Sequence, residues 1–509
     1  MPNKYDVILI GGNVPNLTAA AYLGKAGLKT IVLEKSSYLG GTAICTEMNV
    51  PGHRFCPAAT GEFWAKPKIV NDLGLDRHGL GVVMCTPNLT TTFGDGNYLR
   101  LYTDPAKTAE EIARFSEHDA EQWVNMIGKW RKIGQFMGLA FENQPASLGQ
   151  MATSLASNKE MKALGRDLFF ATTKDILDRY FESPYTKGAI MTLLEGGDLG
   201  PSGAPFFFGA ARAMNQWGFV DGGLDKLASA HVAAAEENGA DLVTEKNVVK
   251  VLVKDNKAYG VVTEDGEEFF ADTILSAVEP LTMYNTMIDE EDRDADFMEA
   301  LGETVHQNGG GSTLNLALSG LPDFGFPEEC YNGFFGITTP GYDYAEDAFC
   351  AYNKGEIPDR LMSMSYMPSY VQPGVFAPEG KHTLTAYVFP VPYELKTGTW
   401  ETRKDEFFEK WIDSLNTFAP GIKDLVIGYE GFTPLELQQK FGMTRGDIQH
   451  GTFRWVSSLD HRPAVGYANY RAPIEGLYMG GNSTWPTSGL IGVNGWNVSQ
   501  AILKDLGRI

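Results

Sequence analysis

A cluster of glycines, asparagines and one acid near the start of the chain has the spacing that most directly suggests chemistry. Gly11-Gly12-Asn13-Val14-Pro15-Asn16 follows the apolar run Val7-Ile8-Leu9-Ile10 and precedes an Ala-rich stretch with Ala19, Ala20, Ala21 and Leu23. A tight turn between a buried strand and a helix leaves N–H groups at the helix N-terminus, where a pyrophosphate can sit. A second apolar run, Ile31-Val32-Leu33, ends in Glu34 and Lys35. Glu34 stands about twenty residues beyond the turn, where an acceptor for ribose hydroxyls belongs. The Gly-x-Gly-x-x-Gly pattern is nevertheless broken, because Asn13 and Asn16 occupy its second and third glycine positions. Asn is the residue after Gly that best tolerates a left-handed backbone. The Asn13 side chain must turn aside or bond the pyrophosphate. Alone, the turn fits a βαβ unit with or without a dinucleotide.

The elements that must position these residues follow from patterning. Gly40-Gly41-Thr42, behind the second strand, lets backbone approach a bound group closely. Residues 86–103 alternate around turn residues and predict a hairpin. Asp104-Pro105 and Ser116-Glu117-His118-Asp119 are helix starts, and the pattern stays helical to about residue 195. Residues 196–210 are rich in Gly, Pro and Phe and read either as a core-packing loop or as a substrate-lining one. The α/β pattern returns at Gly218, with a helix through Leu227, Ala230 and Ala234, strands near Val243, Val248–Val253 and Val261, and a buried strand ending at Ser276-Ala277. Leu314–Leu318 and Thr383–Val388 read as strands, and 403–418 as a helix. Leu477-Tyr478-Met479-Gly480-Gly481-Asn482 and the Gly-studded loop through Leu490, Ile491 and Gly492 open a last helix from Trp496 to Leu506.

Length and composition bound the reading. The chain has 509 residues and a formal net charge of −22, with 43% hydrophobic residues. That size accommodates two or three domains, and the acidity argues against nucleic acid and anionic membrane surfaces as partners. No run of ~18 apolar residues predicts a membrane span, and the first strand begins too early to leave room for a secretory leader. Five scattered cysteines without CxxC spacing indicate reduced thiols, hence a cytoplasmic protein. Histidines lack metal-ligand spacing, so no metal is expected. No Gly-x-Ser-x-Gly elbow suggests a hydrolase.

Three separated segments, in this order, resemble the FAD-dependent oxidoreductases of the phytoene desaturase and amine oxidase superfamily. They are the opening βαβ with Glu34 and Gly40-Gly41; Asp221-Gly222-Gly223-Leu224 with Val248, Ser276-Ala277 and Pro280; and the closing Gly476-Leu477-Tyr478 to Gly492. His450-Gly451, Arg462-Pro463, Tyr470-Arg471-Ala472-Pro473 and the run 377–382 make the chain most similar to the pyridine nucleotide-disulfide oxidoreductase domain-containing protein 2 branch.

The resemblance implies an α/β fold. A Rossmann-like, glutathione-reductase-like FAD domain (1–85, 216–284 and 455–509) is interleaved with a mixed β-sheet substrate domain (285–454) and with a hairpin and helical cap (86–215). It implies that Gly11, Gly12, Asn13, Val14, Pro15 and Asn16 lie along the pyrophosphate, and that Glu34 and Lys35 lie at the adenosine ribose. Gly41 and Thr42, beside Gly40, would lie near the phosphate or ribityl chain, and Val248 on the adenine. Gly481 and Asn482 would meet the ribityl and second phosphate, and Leu490, Ile491 and Gly492 the flavin pyrimidine. The loop Trp485-Pro486-Thr487-Ser488-Gly489 departs from the branch, which has His-Pro-Gly-Gly-Gly there.

Such a protein removes a hydride from a substrate C–H bond to flavin N5, giving a C=C or C=N product, with negative charge on the ring stabilised by the last helix. A small organic substrate is implied, with O2, a quinone or another acceptor, since no second nucleotide-binding unit is evident; a homodimer is compatible. His450 is the candidate base or a structural hydrogen-bonder. Arg454 and Arg462 are candidate substrate-carboxylate ligands or ordinary ion pairs. Trp217, Trp455 and Trp485 either line the flavin face or belong to the core. A redox-neutral isomerase or hydratase, and a non-catalytic flavoprotein, are the alternative classes.

Overall fold

The computed structural model describes residues 4–59, 67–141, 145–193, 217–304, 309–448, 450, 459–486 and 492–509. Four strands with the sequences VILI, TIVL, TILS and LYM are buried at every position. Such runs need cover on both faces, which is the condition of a parallel sheet. They form one, in the order Leu477–Met479, Thr273–Ser276, Val7–Ile10, Thr30–Leu33 and, at the edge, Asp241–Val243. The sheet thus draws on the beginning, middle and end of the chain.

Alternate residues serve its two faces. Val7, Leu9 and Val32 pack under helices Val14–Lys25, Leu224–Glu237 and Val493–Asp505. The Ala19-Ala20-Ala21 run lets helix Val14–Lys25 sit close to both neighbours, and at Gly495 a Cβ would come within 2.0 Å of the Pro15 carbonyl oxygen. Ile8, Ile10, Ile31 and Leu33 face the other way, onto Val248, Val251 and Val261. Those belong to a three-stranded antiparallel sheet, Val248–Lys254, Lys257–Thr263 and Glu268–Phe270. The result is helices, parallel sheet and antiparallel sheet in three layers.

A seven-stranded mixed sheet forms the second body of structure. Its order is Val426–Phe432, Ser312–Leu318, His382–Phe389, Met362–Tyr366, Phe334–Ile337, Leu89–Thr92 and Tyr98–Leu101. Every pairing is antiparallel except Phe334–Ile337 with Leu89–Thr92. The hairpin read from residues 86–103 is therefore hydrogen-bonded into this sheet, although the chain leads from it into the helices. Those helices are Pro105–Ala113, Glu117–Phe141, Leu148–Leu155, Lys159–Phe170, Thr173–Tyr180 and Pro184–Leu193. The first is capped as expected, Asp104 accepting the Ala106 N–H at 2.9 Å. Ile112, Trp123, Met126 and Ile176 share a core with the sheet residues Leu89, Leu99, Leu314 and Leu384 and with Trp411 of helix Trp400–Phe418. The chain is an α/β protein with a Rossmann-like unit, an interleaved mixed sheet and a helical cap. No helix among the described residues is long and apolar enough to cross a membrane.

Candidate cofactor and active site

The opening turn is held from beneath by Glu34. Gly11 adopts φ +93°, a conformation open to Gly, and its N–H donates to Leu33 O at 2.8 Å. The Gly12 N–H donates to Glu34 Oε2 at 2.6 Å, and the Ser36 N–H to Oε1 at 2.8 Å. Glu34 is 8% exposed, so both bonds form away from bulk water. A Cβ on Gly12 would meet Leu39 Cδ2 at 2.4 Å and Glu34 Cβ at 3.1 Å. This glycine serves close packing of the turn on the acid.

The two asparagines work differently from the expectation that they tolerate a left-handed turn. Neither has positive φ. Asn13 is extended, with φ −75° and ψ 165°, and is the N-cap of helix Val14–Lys25; its Oδ1 accepts the Asn16 N–H at 3.0 Å. Its side chain turns aside into the helix, with Pro15 in the first turn. Asn16 is fully buried inside the helix, and its Nδ2 donates to Ile10 O at 3.0 Å and Gly11 O at 2.9 Å. Strand end and helix are thereby stitched together by a side chain.

Two further segments converge on this turn. Gly40 N donates to Gly12 O at 2.7 Å, and Asn13 and Gly40 form an isolated parallel bridge. At Gly41, φ +62°, a Cβ would lie 2.8 Å from Asn13 Cβ. Thr42 is half-buried beside them. From the other side, Gly480 N donates to Ser276 O at 2.7 Å, and at Gly481, φ +73°, a Cβ would lie 2.9 Å from Ala277 O. The Gly481 carbonyl accepts from Asn494 Nδ2 at 2.8 Å and Thr484 Oγ1 at 2.9 Å. Asn482 O accepts from Arg462 Nη2 at 3.0 Å. Gly492, φ +78°, caps helix Val493–Asp505. Val248 is buried and shares a core with Leu33, while Lys35 is exposed. Leu490, Ile491, Arg454 and Trp455 lie outside the described residues.

Of the remaining candidates, Arg462 and His450 both neighbour Asp447, while Trp485 and Trp217 lie in the core. Arg462 is 4% exposed, and burial pulls its guanidinium down to about 10, against the opposing effect of Asp447. His450 is half-buried in a left-handed conformation, φ 51°, its N–H donating to Asp447 O at 3.1 Å. Trp485 is 1% exposed in the core of the seven-stranded sheet, and its carbonyl accepts from Tyr470 Oη at 3.1 Å. Trp217 is buried edge-on to Phe334, centroids 5.3 Å apart.

Sequence reasoning missed Asn494, which holds the Gly481 carbonyl, and one face of the large sheet. Thr313 and Asn315 lie opposite Tyr387 and Thr385, which lie opposite Met364 and Tyr366. That face turns toward the dinucleotide unit: Thr313 Oγ1 donates to Pro57 O, and the Tyr366 ring stacks on Phe219 with centroids 5.2 Å apart. Its signal in the sequence was polar residues at every second position, as in Thr383 and Thr385.

The converging glycines and the buried acid fit a dinucleotide laid across the carboxyl ends of parallel strands, where α/β sheets bind ligands. A family profile described as flavin containing amine oxidoreductase matches residues 86–423. The chain belongs to that family. Its cofactor is FAD, and it is an FAD-dependent oxidoreductase. A rat (Rattus norvegicus) protein, pyridine nucleotide-disulfide oxidoreductase domain-containing protein 2, is 27% identical over 99% of this chain and 94% of its own length. A limonene dehydrogenase polypeptide from Castellaniella defragrans is 24% identical over 99% and 95%. Among solved structures, a putrescine oxidase variant superposes with TM-score 0.63 at 15% identity, covering 100% of both chains, and shares the fold.

Proposed function

We propose that this oxidoreductase desaturates a small, uncharged organic substrate, a hydride leaving one carbon and a proton leaving its neighbour to give a C=C product. When bound, FAD supplies a two-electron acceptor for that hydride. The carrying observation is the convergence of Gly11–Asn13, Gly40–Gly41 and Gly481–Asn482 at the carboxyl end of the parallel sheet, with Glu34 buried beneath the opening turn. Gly11, Gly12, Asn13, Val14, Pro15 and Asn16 would line the pyrophosphate, helped by the positive end of helix Val14–Lys25. Glu34 would take the adenosine ribose, with Val248 by the adenine. Gly41, Thr42, Gly481 and Asn482 would take the central chain, and Leu490, Ile491 and Gly492 the pyrimidine edge.

The substrate class rests on the sheet face that turns toward this unit. Thr313, Asn315, Thr385, Met364 and Tyr366 present neutral groups there, and Asn315 Oδ1 has no hydrogen-bond partner among the described residues. Glu430, opposite Asn315, is the carboxylate of this face and already accepts the Asn49 N–H at 3.0 Å. A buried ammonium would need a carboxylate of its own, so a neutral alicyclic or polyene compound suits this face better than an amine. The limonene relative acts within that chemistry by its name. O2, a quinone or another acceptor would reoxidise the flavin. The five free cysteines support a reducing, cytoplasmic compartment.

The test is anaerobic titration of the purified, yellow protein with alicyclic, polyene and amine panels while following the visible flavin band. Bleaching by neutral compounds is the expected result. Bleaching by amines alone would overturn the substrate class, and turnover without bleaching would replace oxidation by isomerisation.

A further inference from the structure

Cys45 and Cys56 stand opposite one another beside a two-stranded ladder. Thr46–Glu47 pairs antiparallel with Arg54–Phe55, Thr46 opposite Phe55 and Glu47 opposite Arg54. Continuing that register by one residue sets Cys45 opposite Cys56. Met48 N donates to His53 O at 2.7 Å, which makes that pair hydrogen-bonded. At the next pair Arg54 N donates elsewhere, to Phe376 O at 2.9 Å. Alternation along the ladder then makes Cys45/Cys56 a non-hydrogen-bonded pair, the type with Cα atoms about 4.5 Å apart. A disulfide spans roughly 4.4–6.8 Å between Cα atoms. The side chains realise the opportunity, for the two Sγ atoms are 2.8 Å apart.

The surroundings make the two thiols unequal. Leu224 N, at the start of helix Leu224–Glu237, donates to Cys45 Sγ at 3.3 Å. Gly223 leaves room for this sulfur, since a Cβ there would come within 2.8 Å of it. Cys45 is partly exposed and Cys56 buried. Contact with Cys56, then the Leu224 N–H, holds the Cys45 thiol below its usual range, while the same contact and burial push Cys56 well above it.

We propose that Cys45 and Cys56 are a reversible dithiol–disulfide pair oxidised by hydrogen peroxide, Cys45 attacking and Cys56 resolving. The Cys45 thiolate sulfur bonds one peroxide oxygen as the O–O bond breaks. The hydroxide that leaves takes up the proton shed by Cys45 and becomes water. Cys45 is now a sulfenic acid. The Cys56 sulfur attacks Cys45 Sγ, the S–O bond breaks, and the departing hydroxyl leaves as a second water with the Cys56 proton. Two thiols have lost two electrons and peroxide has gained them. The site is independent of the substrate reading, because it requires no turnover.

Trypsin cleaves at Arg54, between the two cysteines, so a disulfide joins two peptides. The full-length flavoprotein is exposed to equimolar hydrogen peroxide, denatured, alkylated and mapped, with exposed Cys350 as internal control. The expected result is joint protection of Cys45 and Cys56, a joined peptide lighter by two hydrogens, and its reversal by a thiol reductant. In Cys56→Ser, dimedone should trap a sulfenic acid on Cys45. Full alkylation of both cysteines at a dose that oxidises Cys350 overturns the proposal, and the unmutated protein decides this even where the variant fails to fold. A dimedone adduct absent from Cys45 in folded Cys56→Ser overturns its attacking role.

Discussion

The Glu34 carboxylate accepts the Gly12 N–H at 2.6 Å and so fixes the turn from below. With Ser36 N on the other oxygen, it is an anchor of the fold as well as a proposed ribose ligand. Hydrogen bonds to a charged group contribute about 1.5–3 kcal/mol each. Glu34→Ala should therefore cost about 3–6 kcal/mol in urea unfolding and lower FAD retention on gel filtration. Glu34→Gln, which keeps one carbonyl acceptor, should lose less. An unchanged urea midpoint in Glu34→Ala would show that the carboxylate does not anchor the turn.

Asn13 and Asn16 should respond unequally to glycine. Asn13→Gly removes one cap, and Gly at an N-cap costs only a few tenths of a kcal/mol. Asn16→Gly removes both Nδ2 bonds, to Ile10 O and Gly11 O, leaving Ile10 O with the Ala277 N–H at 3.0 Å and Gly11 O without its Asn16 donor, and puts Gly inside a helix. A loss of about 2–3 kcal/mol is expected from these terms. Chemical denaturation of the two variants side by side checks the order, and equal losses would contradict it.

Helix Val493–Asp505 touches helix Val14–Lys25 at Gly495, where a Cβ would sit 2.0 Å from Pro15 O and 2.9 Å from Pro15 C. Backbone cannot swing aside as a side-chain end can. Gly495→Ala should cost about 3 kcal/mol, at the upper end of overpacking. It should also loosen FAD, since the same helix carries Asn494. Thermal unfolding with and without added FAD measures both effects.

His231 is wholly buried in helix Leu224–Glu237, and desolvation lowers it to about 4, opposed by its bond to Leu227 O. Between about pH 6.5 and pH 4 the unfolded chain takes up this proton while the folded chain does not. Stability should therefore fall as pH drops through that window, by roughly 3 kcal/mol across it. His231→Gln should remove that part of the acid sensitivity, read as the difference in unfolding free energy between pH 7 and pH 5.

Much of the fold was legible because it is local. The runs VILI, TIVL and TILS, short and bounded by turn residues, read as fully buried strands, and Ala19-Ala20-Ala21 after a turn starts a tightly packed helix. Asp104-Pro105 announced its helix through capping that needs only neighbouring residues. The helix 403–418 was placed a few residues short, because its start at Trp400 is fixed by a Thr399 cap. The hairpin 86–103 was recognised as a hairpin, but its membership of the large sheet depends on pairing with Phe334–Ile337, far away in the chain.

The sequence by itself determined the βαβ unit, its acid, the glycine-rich segments and the family they resemble. Each follows from residue type at short spacing, where steric freedom of Gly and burial of apolar runs dominate. Tertiary structure decided what the asparagines do, because whether Asn16 meets a ligand or two carbonyls depends on how the strand end approaches the helix. It also decided that Trp485 lies in a core and that Cys45 and Cys56 meet. Those outcomes depend on distances of a few ångströms between segments remote in sequence or across a turn. Packing sets such distances, and residue identity alone does not.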